Sequence, residues 1–247
     1  MFGNMTTDGL EKQEDRLGGG YQPLETDIYT GVLKAAYAGK SQGGAMNITL
    51  IAQLGDREYR ETVYISNRNG ENFFISKDKK KVALPGFTII NDLCLILTGE
   101  PLSAQQTEEK TVNVYDYDAK KELPTKVDML TGLLNEEISL AIQCQTVDVN
   151  KKNEATGEYE PSGETRDENV IAKVLHTETK MTVVEAVNGA EAATFWDAWL
   201  ERNKGKTYDR SKGKAAGGNT GGRPVQRPTA GSGAGASGAG KSLFPKK

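Results

Sequence analysis

Three consecutive runs decide the fold class: residues 26–39, TDIYTGVLKAAYAG; residues 46–53, MNITLIAQ; and residues 57–65, REYRETVYI. In the first, Tyr29, Leu33, Ala35 and Tyr37 fall on one face, with Val32 and Lys34 on the other. In the second, Met46, Ile48, Leu50 and Ala52 alternate with Asn47, Thr49 and Gln53. In the third, Arg57, Tyr59, Val63 and Ile65 oppose Arg60 and Tyr64. A period of two over short runs marks half-buried strands. With turns at residues 40–44 and at Gly55-Asp56, the reading is a three-stranded antiparallel meander.

Downstream, Asn67-Arg68-Asn69-Gly70 carries a tight-turn pair, the chain returns through Phe73-Phe74-Ile75, and residues 77–81 read as an exposed loop. Residues 88–99 read as a buried helix stopped at Gly99. Strands are expected over 111–117, over 138–149 with Ile138, Leu140, Ile142 and Cys144 inward, and over 181–187. Residues 150–169 are polar and acidic, which predicts an inserted loop. Residues 190–203 predict an amphipathic helix on Phe195, Trp196, Trp199 and Leu200, with both tryptophans packing inward. Three strands, a helix and two more strands match the OB-fold. That predicts a mainly β chain built as a five-stranded antiparallel Greek-key barrel with inserted loops, one helix between strands three and four, and a C-terminal helix. SH3-like barrels and other small antiparallel folds give similar patterns.

Three regions follow: a flexible segment 1–20 ending in Gly18-Gly19-Gly20, an ordered domain 21–203, and a disordered glycine-rich basic tail 204–247. Of 31 basic and 34 acidic residues, the tail holds ten and one, so a net charge of -3 divides into +9 on the tail and -12 on the body. Such asymmetry points to a polyanion, or to the protein's own acidic surface, as the tail's partner. Cys94 and Cys144 lie in apolar runs and read as reduced core residues. The polar start lacks a signal-peptide core, and no apolar run approaches the roughly 20 residues that span a bilayer, so a soluble cytosolic protein with no membrane partner is expected.

Catalytic chemistry is poorly supplied. Residues 235–242, GASGAGKS, satisfy the phosphate-loop string. They follow no apolar strand and leave no room for the helix whose amides would hold a phosphate, so no nucleotide is expected. One histidine, His176, read as lying in an exposed turn, provides neither a multi-histidine metal site nor a spare base. The pairs Glu108-Glu109 and Glu136-Glu137 read as solvated surface. No enzyme, metal or cofactor is expected.

Nucleic-acid binding is better supported. Single strands are held by aromatic rings stacking on bases and by cations tracking phosphates. The region from Tyr29 to Lys81 interleaves both kinds: Tyr29, Lys34, Tyr37, Lys40, Arg57, Tyr59, Arg60, Tyr64, Arg68, Phe73, Phe74, Lys77, Lys79, Lys80 and Lys81. Arg60 and Tyr64 are the favoured DNA-facing pair, because Val63 and Ile65 supply the core side. For any single tyrosine a core ring with a surface hydroxyl is the competing reading.

The opening MFGNM, residues 57–62 REYRET with 69–74 NGENFF, the turn 84–87 LPGF, residues 161–166 PSGETR and the KSLF near the C-terminus resemble podophage single-stranded DNA-binding proteins. The resemblance implies an OB-fold protein that coats and protects single-stranded DNA, without sequence preference, in phage replication, recombination and repair, in the cytoplasm of the infected bacterium. It implies phage replication proteins as further partners. In one branch of the family a homologous protein activates the host RNA polymerase through a basic C-terminus. That implies a transcription-activating role here, with Leu243, Phe244, Lys246 and Lys247 as the contact. Many such proteins end in an acidic tail, whereas this one ends in a basic tail.

Overall fold

The computed structural model describes residues 22–116, 119–153, 157, 159–211 and 243–244. Its frame is the expected meander: β1 (Asp27–Lys40), β2 (Met46–Leu54) and β3 (Arg57–Tyr64), antiparallel throughout. A small hairpin, β4 (Phe73–Ile75) with β5 (Lys81–Ala83), leads into α1 (Pro85–Leu97). Proline at the first helical turn, where no amide partner is needed, starts α1 three residues earlier than its apolar run suggests. Gly86 lets it settle on β3, since a Cβ there would stand 2.1 Å from the Tyr64 carbonyl oxygen.

Two long hairpins follow. The first joins β6 (Glu108–Asp116) to β7 (Lys121–Met129), and the second joins β8 (Glu137–Lys152) to β9 (Tyr159–Leu175). β1 carries β8 along its first half and β7 beside Tyr37 and Ala38, so both hairpins hang from one strand. Then come α2 (Val183–Val187), α3 (Phe195–Asn203) and β10 (Thr207–Asp209), the last running parallel to β8.

The mainly β, antiparallel reading is met, but the five-stranded closed barrel is not. Eight strands form one sheet with the path β10-β8-β1-β2-β3, and β6, β7 and β9 branch from it; among the described residues it does not close into a barrel. The loop expected over 150–169 is instead strand where the end of β8 (to Lys152) and the first half of β9 (from Tyr159) pair with each other. That stretch projects past β1 with both faces largely wet, so it needs no apolar alternation. β7 went unrecognised for the same reason, and its Pro124 sits opposite Asn113 of β6. The strand expected over 181–187 is a helix: Thr182 accepts the Glu185 amide, and the Glu185 carboxylate accepts the Thr182 amide. Glu185 also takes the amides of Thr194 and Phe195 at 2.7 Å, so one side chain caps α2 and holds the start of α3.

The main core lies between α1 and the face of the meander that carries Leu33, Ala36, Ile48, Leu50, Tyr59 and Val63, with Ile138, Leu140 and Ile142 of β8 and Ile171 and Val174 of β9. Cys94 and Cys144 are both buried and unpaired to each other, as read from sequence. Trp199 is buried in a smaller cluster with Ala141 and Leu175. Where β1 begins, buried Thr26 donates its hydroxyl to the Lys206 carbonyl at 2.6 Å, receives the Cys144 amide at 2.8 Å, and accepts the Gly205 amide on its own carbonyl. Residues 205–209, inside the segment read as tail, are therefore bound to the sheet. The flexible segment 1–20, the greater part of the tail and the phosphate-loop string 235–242 lie outside the described residues.

Candidate nucleic-acid interface

A β-bulge determines which side chains face outward. The β1–β2 register runs Leu33 to Ala52, then skips Lys34 and resumes at Ala35 to Ile51. Opposed residues share a face. Leu33 therefore sides with the core, while Ala35 and Tyr37 turn to the other side. This corrects the single face expected for Leu33, Ala35 and Tyr37: the extra residue at Lys34 inverts the alternation beyond it.

The outer face can be followed row by row. Tyr37 lies opposite Thr49, which lies opposite Thr62; Ile51 lies opposite Arg60; and Gly39 lies opposite Asn47, which lies opposite Tyr64. Thr49 and Thr62 join hydroxyls at 3.0 Å. The Arg60 guanidinium donates to the Tyr37 hydroxyl at 2.6 Å, tying an exposed arginine to a tyrosine that keeps only 5% of its surface. Tyr64, 52% exposed, stands beside it. Gly39 makes room for its neighbour: the Asn47 side chain lies across it, and a Cβ there would meet the Asn47 Oδ1 at 2.7 Å. Ring, guanidinium and amide thus share one face, with Arg60 and Tyr64 on the side away from Val63.

Cations gather at the Tyr64 end. Lys40 closes β1 opposite Met46, whose carbonyl accepts the Ile65 and Ser66 amides, and exposed Arg68 follows in the next turn. The β4–β5 hairpin presents Lys77, Lys79 and Lys80 on its exposed turn, Phe74 at 47% exposure, and Lys81 Nζ 4.4 Å above the Phe73 ring. Because α1 begins against Tyr64, this hairpin springs from the same end.

Other candidates sit elsewhere. Tyr59 is a core ring whose hydroxyl donates to Glu61 at 2.6 Å, so the structure holds it away from solvent. Tyr29 packs on the core edge with its hydroxyl on the Glu25 carbonyl, and burial first, then Asp27 and Glu25, raises its pKa. Arg57 is tied to the Gln22 carbonyl at the opposite end of β3. Lys34 is exposed on the bulge.

The C-terminal residues are engaged with the body. Phe244, 3% exposed, stacks on His176 with ring centroids 4.6 Å apart, and Leu243 packs beside it. His176 is therefore half-buried rather than exposed as expected, and its Nδ1 lies 3.0 Å from the Thr179 hydroxyl. In this arrangement Leu243 and Phe244 face the protein's own core, while Lys246 and Lys247 lie outside the described residues.

One functional group escaped the sequence reading. Glu61 projects to the core side of β3, accepts the Tyr59 hydroxyl and takes the Ile171 amide of β9 at 2.8 Å. Burial pushes its pKa up to about 7, against the lowering effect of those two hydrogen bonds. A glutamate alternating with Tyr59 and Val63 on an apolar face was the available signal. No known family model matches the chain, and no curated protein matches it.

Proposed function

We propose that this protein binds single-stranded DNA without sequence preference, using the outer face of the meander. The observation that carries the reading is the exposed ring of Tyr64 on the same face as Arg60, which is held by its hydrogen bond to the Tyr37 hydroxyl, with Lys40, Arg68 and the Phe73–Lys81 hairpin at the same end. Rings with an open π-face stack on any base, and arginine adds phosphate contact and cation–π attraction, so the combination favours unpaired strands. A meander, a helix and a hairpin, in that order, also support an opened variant of the OB-fold, with Glu61 bridging β3 to β9 where a closed barrel would carry a ladder. Coating of single strands during phage replication and recombination is the role we assign on the sequence resemblance.

Fluorescence titration of labelled oligo-dT against a duplex of equal length, at two salt concentrations, tests the reading. Oligo-dT should bind tighter, with a log–log salt slope of about -0.7 per phosphate neutralised. Equal affinity for both nucleic acids overturns it.

A further inference from the structure

Among the described residues, the β6–β7 hairpin pairs with the rest of the sheet only at its base, where Met129 and Asp128 pair with Tyr37 and Ala38. Beyond that point it is a two-stranded ribbon, an arrangement of marginal stability alone in water. Its two faces differ. One carries Glu109, Thr111, Asn113 and Tyr115 over Lys126 and Glu122, with Lys126 Nζ 2.7 Å from Glu109. The other carries Val112, Val114, Leu123 and Val127, all half-buried, with exposed Lys110, Thr125 and Lys121 among and beside them. Among the described residues β6 pairs only with β7, and no other described strand continues the sheet along its second edge. Edge strands usually carry blunting charges, prolines or bulges along their length, but residues 111–115, TVNVY, have none.

We propose that this edge is a homodimer interface, in which β6 of one copy pairs antiparallel with β6 of a second copy about a two-fold axis through Asn113. Opposed residues share a face, so the axis must pass through a residue and not between two. That leaves few registers. An axis at Val112 sets Glu108 against Asp116, and one at Thr111 or Val114 sets charged or polar residues against valines. The axis at Asn113 sets Val112 against Val114, Thr111 against Tyr115, and in sequence a lysine at 110 against an aspartate at 116, each twice by symmetry. Like meets like on the apolar face, and opposite charges meet at its ends. Lys110 already bonds Glu108 at 2.7 Å within its own strand, and the second carboxylate extends that pair. The joined ribbons continue the Val112–Val114 stripe across both copies, giving each hairpin the third and fourth strands it lacks.

Light scattering and cross-linking of the full chain test this. Wild type should rise with concentration from 26.7 kDa to twice that mass. Lys110→Glu alone, and Asp116→Lys alone, should each raise the dimer dissociation constant about tenfold, since two cross-strand pairs turn repulsive, and the double exchange should restore it. Asn113→Cys, whose two copies would stand about 4.5–5.5 Å apart at Cα, should give an oxidised dimer, while Thr111→Cys, opposite Tyr115, should not. A protein monomeric at every concentration overturns the proposal. So does a dimer that ignores both the charge exchange and the cysteine positions, which would place another surface, or another occupant of the edge, at the contact.

Discussion

The carboxylate of Glu61 on β3 accepts the backbone amide of Ile171 on β9 at 2.8 Å, so a side chain spans an edge of the sheet that no main-chain ladder crosses. Its pKa, about 7 when folded and 4.5 ordinarily, fixes the sign of a pH effect. Between these values the folded state holds more protons than the unfolded one, so stability falls as pH rises through the window, then levels above about 7. The slope is at most about 1.4 kcal/mol per pH unit. Urea unfolding at pH 5, 6, 7 and 8 should show wild type losing this increment and Glu61→Gln not. Parallel curves for the two proteins refute it.

On the outer face, Tyr64→Ala should weaken oligo-dT binding by about 1–3 kcal/mol. Arg60→Ala should also weaken it and make the log–log salt slope shallower by about 0.7. Tyr59→Phe, altering a core hydroxyl, should leave affinity unchanged. Anisotropy titrations at several salt concentrations read all three, and a Tyr64→Ala protein that binds like wild type removes this face from the interface.

Asp92 of α1 and Lys173 of β9 meet at 2.7 Å, with 9% and 19% of their side chains exposed. Burial raises the Asp92 pKa and Lys173 opposes that shift. Lys173→Met should therefore cost roughly 3 kcal/mol, by leaving a buried carboxylate alone, and Asp92→Asn in the same chain should recover much of it. Denaturant midpoints of the singles and the double form the cycle; additive losses would deny the coupling.

His176 is the chain's one histidine, so its imidazole proton signal is unambiguous. Burial lowers its pKa, against the raising effect of Glu178. A base so shifted makes the packed form lose stability as pH falls through about 6.5 toward the folded value. Phe244→Ala should move the titration midpoint upward and lower stability by up to about 3 kcal/mol. A midpoint unchanged by the substitution means that the Phe244 ring does not shield His176.

Where apolar and polar residues alternate, the residues announced their elements: β2 and β3 keep a period of two, although Asn47 and Thr49 on the polar side of β2 are buried as well, and Arg60 and Tyr64 lie on the opposite face from Val63. The failures share a physical origin. β7 and the far halves of β8 and β9 lie in ribbons that bury little, so period two has nothing to record. At Lys34 one extra residue reverses the facing of everything after it, and only the partner strand reveals that reversal. Thr182-Val-Val-Glu185 did carry a helix start, hidden under β-branched residues that favour strands. The docking of Phe244 on His176 depends on a contact more than sixty positions away, beyond the reach of local pattern.

Thr26 ties the start of β1 to residues 205 and 206, about 180 positions later. During synthesis the first strand must therefore wait, its end bonds unmade, until nearly the whole body has left the ribosome. The same closure brings residues 26 and 206 side by side, so a short linker between them, with new ends opened in an exposed turn such as Gly55-Asp56, would give a circular permutant of the sheet.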